Sequence, residues 1–590
     1  MRKRASQWLI THRYPLLAAF LILVASAIRI GLIAQGWPGT DSDDSTMGLM
    51  AKHILTYGEH PIFFYGQSYM GAIEAYVGAL MFALLGVSSF ALKCGLILIY
   101  AAFMASMYLL LSQAFNHRWA LAGLLLLSLG DDDMLYHQLE AYGGYLETLL
   151  FGVLLIVLAA WLIRTIPDPA LRKWRSWGYL GWGLAAGLGI WSDPLVAPFV
   201  IFSALFLLLT CWRELRHHMA ILALAGLLIG VSPWLIYIAT APSLGAATSF
   251  LQRGTLPQTQ RPASTGNTTA PAAPPIAPTS PTFTEIAIDH VRGTVMIAVA
   301  NNTGATALCP LTLTSAWPPD HWTSPQIVRC IAIRGVWGSG FLVLLSLAIG
   351  LETHAFLRLR HAQSGASAAM LHAAAARGAM RLIAIGAPGA TILLFSLGSV
   401  SSFAPYQYSR YLISIAIALP VAIATLWEHA SHLQVTSPSF LHTFKARHIP
   451  RLGALAAAIL LFIALAAGTL ATYGEIPTFQ AYAQQQATLV HWLIQHDDTR
   501  IYSDYWTCIR TIFQSNERVV CSVVGTQFEP KPNRYPPYDS IVAASSHPAY
   551  VFQLSSAQTS TFPRYAAQLG WTYSRSVVDG QFVVFRLLTS

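Results

Sequence analysis

LLAAFLILVASAIRIGLIAQ, residues 16–35, is a twenty-residue apolar run broken by one charge, Arg29, and Asp41-Ser42-Asp43-Asp44 follows it closely. An α-helix rises about 1.5 Å per residue, so roughly twenty apolar residues cross the ~30 Å hydrocarbon layer. Arg2, Lys3, Arg4 and Arg13 stand ahead of the run. Cationic flanks favour the cytoplasmic side, so the chain emerges near Trp37 and the acidic cluster faces the exoplasmic side. A cleaved signal peptide is the competing reading, since Ala25-Ser26-Ala27 resembles a cleavage site. The apolar stretch continues through Ala34 and many others follow, which favours an uncleaved span.

The rest of the chain has the same character. Of its 590 residues 55% are hydrophobic and only 10% charged, against about 25% charged in a soluble domain. This is the composition of an α-helical polytopic membrane protein. The formal charge of +9 sits in short loops between apolar segments, where topology accounts for it, and nucleic acid is not an expected partner. Further spans are predicted at 90–112, 118–130, 145–164, 177–192, 195–212, 219–240, 331–356, 381–400, 410–427 and 452–472, making eleven. The apolar stretch 70–87 is excluded from that set. Were it a span, Arg172-Lys173-Trp174-Arg175 would lie outside, against the charge bias. It reads instead as a helix lying at the outer interface, which suits its Gly71, Gly78 and Glu74.

With eleven spans the C-terminus is exoplasmic. The chain then divides into a membrane domain, 1–472, with exoplasmic loops 36–89, 131–144 and 241–330, and a small exoplasmic α/β domain, 473–590. Gln258–Pro281, rich in Pro, Thr and Ala, is expected to lack fixed structure. The tail carries short apolar runs such as Val519-Val520 and Phe582-Val583-Val584-Phe585 among Pro and Gly breaks, the pattern of short strands. Cys309 with Cys330 and Cys508 with Cys521 are candidate disulfides in an oxidising compartment, and Cys94 and Cys211 are packing residues.

Four groups of residues on the outer face can carry chemistry. Asp41, Asp43 and Asp44 repel one another, which suits a general base among them; the alternative is a capping cluster on the helix that follows. Asp131-Asp132-Asp133 with His137 and Glu140, then Tyr142-Gly143-Gly144-Tyr145, offers a second carboxylate or an acceptor wall, or else a solvated turn. Glu74 is a carboxylate in an apolar interfacial helix, for substrate or for a structural hydrogen bond. Arg29, Lys93 and Arg410 are cations at the outer boundary, able to pair with a lipid phosphate or to snorkel to headgroups. Asp41-x-Asp43 matches a short divalent-metal motif, a pattern common by chance; no metal or other cofactor is expected.

These residues carry a resemblance. Asp43-Asp44-Ser45-Thr46-Met47-Gly48-Leu49-Met50-Ala51-Lys52-His53-Ile54-Leu55, Pro61–Gly71, Gly143-Gly144-Tyr145-Leu146-Glu147-Thr148, Gly187–Pro194 and Ser409-Arg410-Tyr411-Leu412 resemble the GT-C membrane glycosyltransferases. The branch is the bacterial family-39 type, related to protein O-mannosyltransferases and lipid A aminoarabinose transferases. Asp504-Tyr505-Trp506 and Asn533-Arg534-Tyr535-Pro536-Pro537-Tyr538 are similar to C-terminal domains of that branch. The resemblance implies a GT-C fold and an inverting enzyme in the bacterial plasma membrane. Its donor would be a polyprenyl-phosphate sugar, and its acceptor a lipid, glycan or protein hydroxyl on the exoplasmic side. It also implies that Asp43 is the base with Asp44 beside it. Asp41, Glu74, His137, Glu140 and Tyr145 would line the site, with Arg29, Lys93 and Arg410 toward phosphate. One departure stands out: the position before Gly143-Gly144, often basic in relatives, is Tyr142.

Two rivals come from other classes. A transporter or flippase of lipid-linked sugars needs ionisable groups deep in several spans or broken helices at the midplane, whereas most spans here are uncharged and the acids gather outside. A membrane-anchored binding protein would act through its tail, with the loop acids dispensable.

Overall fold

The computed structural model describes residues 2–216, 218–240, 283–311, 322–361, 367–432 and 449–589, with 317 and 319. The expected unstructured stretch Gln258–Pro281 lies outside these. Helices α1 (Arg2–Ala34), α2 (Ser42–Tyr57), α3 (Ile73–Leu85), α4 (Ser89–Ala114), α5 (His117–Ser128) and α6 (Asp132–Leu139) open the chain. They are followed by α7 (Tyr145–Arg164), α8 (Arg172–Ser192), α9 (Ala197–Leu215), α10 (His218–Thr240) and α11 (Phe283–Arg292). The last membrane helices are α12 (Pro325–His361), α13 (Ala368–Leu397), α14 (Ile415–His432) and α15 (Ile449–Gln495).

A helix stands at each of the eleven predicted spans, but among the described residues eight are long and apolar enough to cross a membrane. The three that fall short are α5, α8 and α14. Helix α5 has 12 residues, about 18 Å of rise. Helix α8 begins with Arg172, Lys173 and Arg175 in its first four residues, which dilutes its apolar content. Its pairing with α10 is nonetheless intimate. A Cβ on Gly183, Gly187, Gly226 or Gly230 would stand 1.9–2.6 Å from a backbone oxygen of the facing helix, the close approach that small residues allow in membranes. Helix α14 starts at Ile415 rather than 410, because a 3-10 turn, Ser409–Leu412, comes first.

Three stretches outside the predicted spans also form helices. Residues 70–87 form α3, only 13 residues long, packed between α2 and α4. The loop 131–144 contains α6, capped by Asp131. The described part of 241–330 is also ordered: α11 continues into a π-helical turn, Gly293–Val299, whose Gly293 lies so close to Ser401 that a Cβ would sit 1.8 Å from its carbonyl oxygen.

The tail holds a five-stranded sheet, β1 (Arg500–Ser503), β2 (Val520–Val523), β3 (Ala549–Gln553), β4 (Thr572–Val578) and β5 (Phe582–Thr589), in the order β2-β1-β3-β5-β4. The first three are parallel, with Ile501 opposite Cys521 and Ala549, and the last two are antiparallel additions. Helices α16 (Tyr505–Gln514), α17 (Pro537–Ala543) and α18 (Ala557–Gln568) connect them. The boundary expected at 472/473 falls inside α15, one 47-residue helix that runs from the membrane into the tail. One apolar core is continuous across both parts: Met50, Phe82 and Phe513 belong to it. Both expected disulfides form, Cys309–Cys330 and Cys508–Cys521, and Cys94 and Cys211 are free.

Candidate active site

Helix α2 starts where it does because Asp41 caps it. The Asp41 Oδ1 accepts from the backbone N–H of Asp43 and Asp44 at 2.7 and 2.8 Å, satisfying donors that a helix start leaves free. The helix ends at Gly58, at φ +66°, where its N–H returns to the His53 carbonyl. The capping reading therefore describes Asp41, and the three carboxylates part company from there.

Asp44 is fully buried. Its Oδ1 accepts from the Ala141 N–H at 2.7 Å and its Oδ2 pairs with Lys93 Nζ at 2.9 Å. Lys93 also donates to the Pro38 carbonyl at 2.9 Å. This pair ties α2 to α4 and to the 140–144 turn, so neither member is available to a substrate. Asp43 differs. Its side chain keeps 25% of its surface exposed, and its nearest partners come from the tail: Arg534 Nη2 at 3.5 Å and the Tyr505 hydroxyl at 3.4 Å. Of the three it alone combines openness with loose partners, as a carboxylate that must receive a proton requires.

Asp41, Asp44 and Glu140 bring carboxylate oxygens within 4.8 Å of one another. Burial pushes Asp41 up to about 6. Burial, then the charges of Asp41 and Asp44, lift Glu140 well above the usual carboxylate range. Tyr136 donates to Glu140 Oε1 at 3.0 Å. The cluster does not suit a resident divalent ion, because the Lys93 ammonium already holds Asp44 Oδ2 and two N–H groups hold Asp41 Oδ1. The metal-like pair Asp41-x-Asp43 is split, since Asp43 is not part of this cluster.

The opposite wall is aromatic. The Arg410 guanidinium lies 4.7 Å over the Tyr142 ring, 5.7 Å over Tyr145 and 5.9 Å over Tyr408. Tyr145 stacks on Tyr411 and meets Tyr142 edge-on. Arg410 Nε is buried without a hydrogen-bond partner among the described residues, and Arg410 lies within electrostatic reach of Asp43. Tyr142, where relatives often carry a base, thus presents a ring face to this arginine, an arrangement with cation–π attraction. His137 borders the same wall, 6.0 Å from Tyr142 ring to ring. Its Nε2 is 3.4 Å from Asp133 Oδ1, and Asp133 Oδ2 accepts from Ser409 at 3.1 Å.

Two expected site residues turn out to be braces. Glu74 is buried, and its Oε2 accepts from the Gly143 N–H at 2.9 Å; burial, then Glu147, raises its pKa well above the ordinary value. It fixes the turn in which Gly143 and Gly144 take φ +86° and +89°, a region open to glycine at little cost. A Cβ on Gly144 would also stand 2.5 Å from Asp193 Cβ. Arg29 is fully buried. Its Nη1 donates to the Ala25 and Ser128 carbonyls at 3.1 and 3.2 Å, and its Nε and Nη2 to Gln138. The guanidinium stacks 3.7 Å over Tyr100. It binds α1 to its neighbours rather than meeting a phosphate, which corrects the expectation drawn from its place in the span.

Sequence reasoning passed over the tail. Arg534 Nε donates to the Tyr505 hydroxyl at 2.7 Å, so tail and loop acid form one group. Docking is specific. Glu517 accepts from Tyr538 at 2.7 Å and meets Lys52 Nζ at 2.6 Å and His53 Nε2 at 3.0 Å, both from α2. Phe513 seats against Gly48, where a Cβ would come within 2.4 Å of the ring. The motifs quoted around Tyr505 and Arg534 were the available signal, but nothing local says that they reach residue 43.

Comparison with known proteins agrees with this architecture. Residues 72–237 match the family model described as dolichyl-phosphate-mannose-protein mannosyltransferase; that stretch includes Glu74, Lys93, His137, Glu140 and Tyr145 but not Asp43, Arg410 or the tail. No curated protein matches. In fold the chain is similar to ArnT from Cupriavidus metallidurans, solved bound to undecaprenyl phosphate and in the apo state. Each matches at a TM-score of 0.53 and 13% identity, over 99% of this chain and 98% of that one. The Archaeoglobus fulgidus oligosaccharyltransferase, solved in complex with Zn and sulfate, matches at a TM-score of 0.49 and 11% identity, over 96% of this chain and 72% of that one. The chain thus shares the fold of ArnT, and over residues 72–237 it is similar to the mannosyltransferase family.

Proposed function

We propose that this integral membrane protein, with its GT-C fold and its mannosyltransferase-family match, is a glycosyltransferase. It moves a sugar from a polyprenyl-phosphate carrier to an acceptor hydroxyl on the exoplasmic side, with inversion. The observation that carries this is the divergence of the acids: Asp43 open and loosely held by Arg534, with Arg410 within electrostatic reach, and Asp44 buried and neutralised by Lys93. A hydroxyl is a weak nucleophile until its proton has somewhere to go. Asp43 takes that proton as the hydroxyl oxygen attacks the sugar C1. The C1–O bond to the phosphate breaks on the opposite face, and the electron pair leaves with the carrier phosphate. A single displacement of this kind inverts the anomeric centre. Arg410, desolvated over its tyrosines, is placed to stabilise charge that grows during the reaction, and the tyrosine wall offers a face for a sugar ring. The undecaprenyl phosphate of the ArnT structure supports a carrier of that chemistry.

The test is transfer from a panel of radiolabelled polyprenyl-phosphate sugars by wild type and Asp43→Asn in detergent. Loss of label from one carrier, reduced at least about a hundredfold in Asp43→Asn, is the expected result. Full activity in a folded Asp43→Asn sinks the assignment of the base. Carrier flux across proteoliposomes with no product would move the chain to the transporters.

A further inference from the structure

We propose that Arg534 of the C-terminal domain binds the carrier phosphate, making the site a composite of membrane domain and tail. The inference rests on the glycosyltransferase reading above and adds a residue to it. It starts from what the other cations are doing. Arg29 and Lys93 are buried and engaged with internal partners. Beside Asp43 there remain Arg410 and Arg534.

Arg534 is held in plane but not saturated. Its guanidinium lies 5.0 Å over the Phe64 ring and 5.4 Å over Tyr505, one ring from the 58–72 loop and one from the tail. Nε is committed to Tyr505, while Nη1 carries no hydrogen bond to a described residue. Gly66, at φ +71°, passes close enough that a Cβ would meet Arg534 Cδ at 3.4 Å. The single contact to Asp43, 3.5 Å long, is at the outer limit of a hydrogen bond. An arginine whose purpose was to pair with that carboxylate would grip it with two short bonds. A long, one-point contact with 22% of the side chain exposed describes a guanidinium that a stronger oxyanion can claim.

Phosphate is that oxyanion. In the carrier-linked sugar it is a diester with one negative charge; as C1–O breaks, the oxygen stays on phosphorus and a second charge develops. Arg534 turns its free edge to that oxygen, and Asp43, released, takes the acceptor proton. Charge and proton therefore end on separate partners, with no further reactant required.

The experiment uses the full-length protein in nanodiscs with undecaprenyl phosphate as probe, comparing wild type, Arg534→Gln, Arg534→Lys and the exposed control Arg575→Gln. Two readouts are taken: direct binding of undecaprenyl phosphate, which needs no turnover, and kcat and KM for the donor found above. Arg534→Gln is expected to weaken binding about tenfold and lower kcat about a hundredfold. Arg534→Lys recovers part of both, and Arg575→Gln matches wild type. Hydrogen exchange in α16 reports whether the tail stays docked. Unchanged undecaprenyl phosphate binding in a docked Arg534→Gln overturns the inference. So does a pair of Gln and Lys variants equally inactive with the tail undocked, which marks a structural residue. A wild type that binds the probe through Arg534 yet transfers no sugar would count against the enzyme reading and not against this one.

Discussion

Removing one charge at residue 517 should loosen the whole tail from the membrane domain by a calculable amount. Burial alone would raise the Glu517 carboxyl; the hydrogen bonds from His53, Lys52 and Tyr538 outweigh it and bring its pKa down to about 2. From an ordinary value of 4.5 that drop corresponds to a ceiling of about 3 kcal/mol. The carboxylate keeps some contact with water, and screening reduces the figure to about 1–2 kcal/mol. Because the folded value lies below the unfolded one, this stabilisation is present above about pH 4.5 and is lost as pH falls toward 2. Glu517→Gln should therefore speed hydrogen exchange of α16 and of the α2 segment around Lys52 by about 5- to 30-fold at pH 7. At pH 3 the ratio to wild type should shrink by more than half. Equal exchange at pH 7, or a ratio that does not change with pH, would refute the reasoning, because the docking would then owe nothing to this carboxylate.

Two other perturbations test the frame of the site. Lys93→Met strands the Asp44 carboxylate in a buried position and should cost about 3–5 kcal/mol, read as loss of folded protein in detergent, whereas Lys93→Met with Asp44→Asn should recover most of it. The disulfides test the topology: with Cys94 and Cys211 replaced by Ala, Cys309, Cys330, Cys508 and Cys521 of protein from intact cells should take up maleimide only after reduction, since such bridges form in oxidising compartments. Labelling without reductant would put these segments on the cytoplasmic side.

Much of the architecture could be read from composition, because a helix that faces lipid must be apolar along its length and that pattern survives without any knowledge of neighbours. The same logic falters for α5 and α8, whose place in the bundle depends on short helices and glycine contacts with α10 rather than on their own hydropathy. The tail strands were visible as alternating runs, but the join at α15 was not, since Gly474 and Pro477 read as a helix end where the helix in fact runs on. Within the site, charge and position pointed to the acids at the start of α2, yet could not by themselves separate Asp43 from Asp44, one residue away. That separation comes from helix geometry: neighbouring side chains point about 100° apart, so one meets Lys93 and the other meets the tail. Arg29 misled for the opposite reason. A lone arginine in an apolar run looks functional until Gln138, 109 residues away, supplies its partner. Arg534 went unassigned because its partner is 491 residues distant.

The 47 residues of α15 make a rod of about 70 Å, more than twice the hydrocarbon thickness. A rod transmits phase. Adding a single residue between the membrane and the tail would turn everything beyond it by about 100° and lift it by about 1.5 Å, swinging Arg534 and Tyr505 off the acid they face. A flexible tether of equal length would absorb the same insertion without effect. Along this helix the length of the chain is therefore set by the contact between the tail and α2 at the far end.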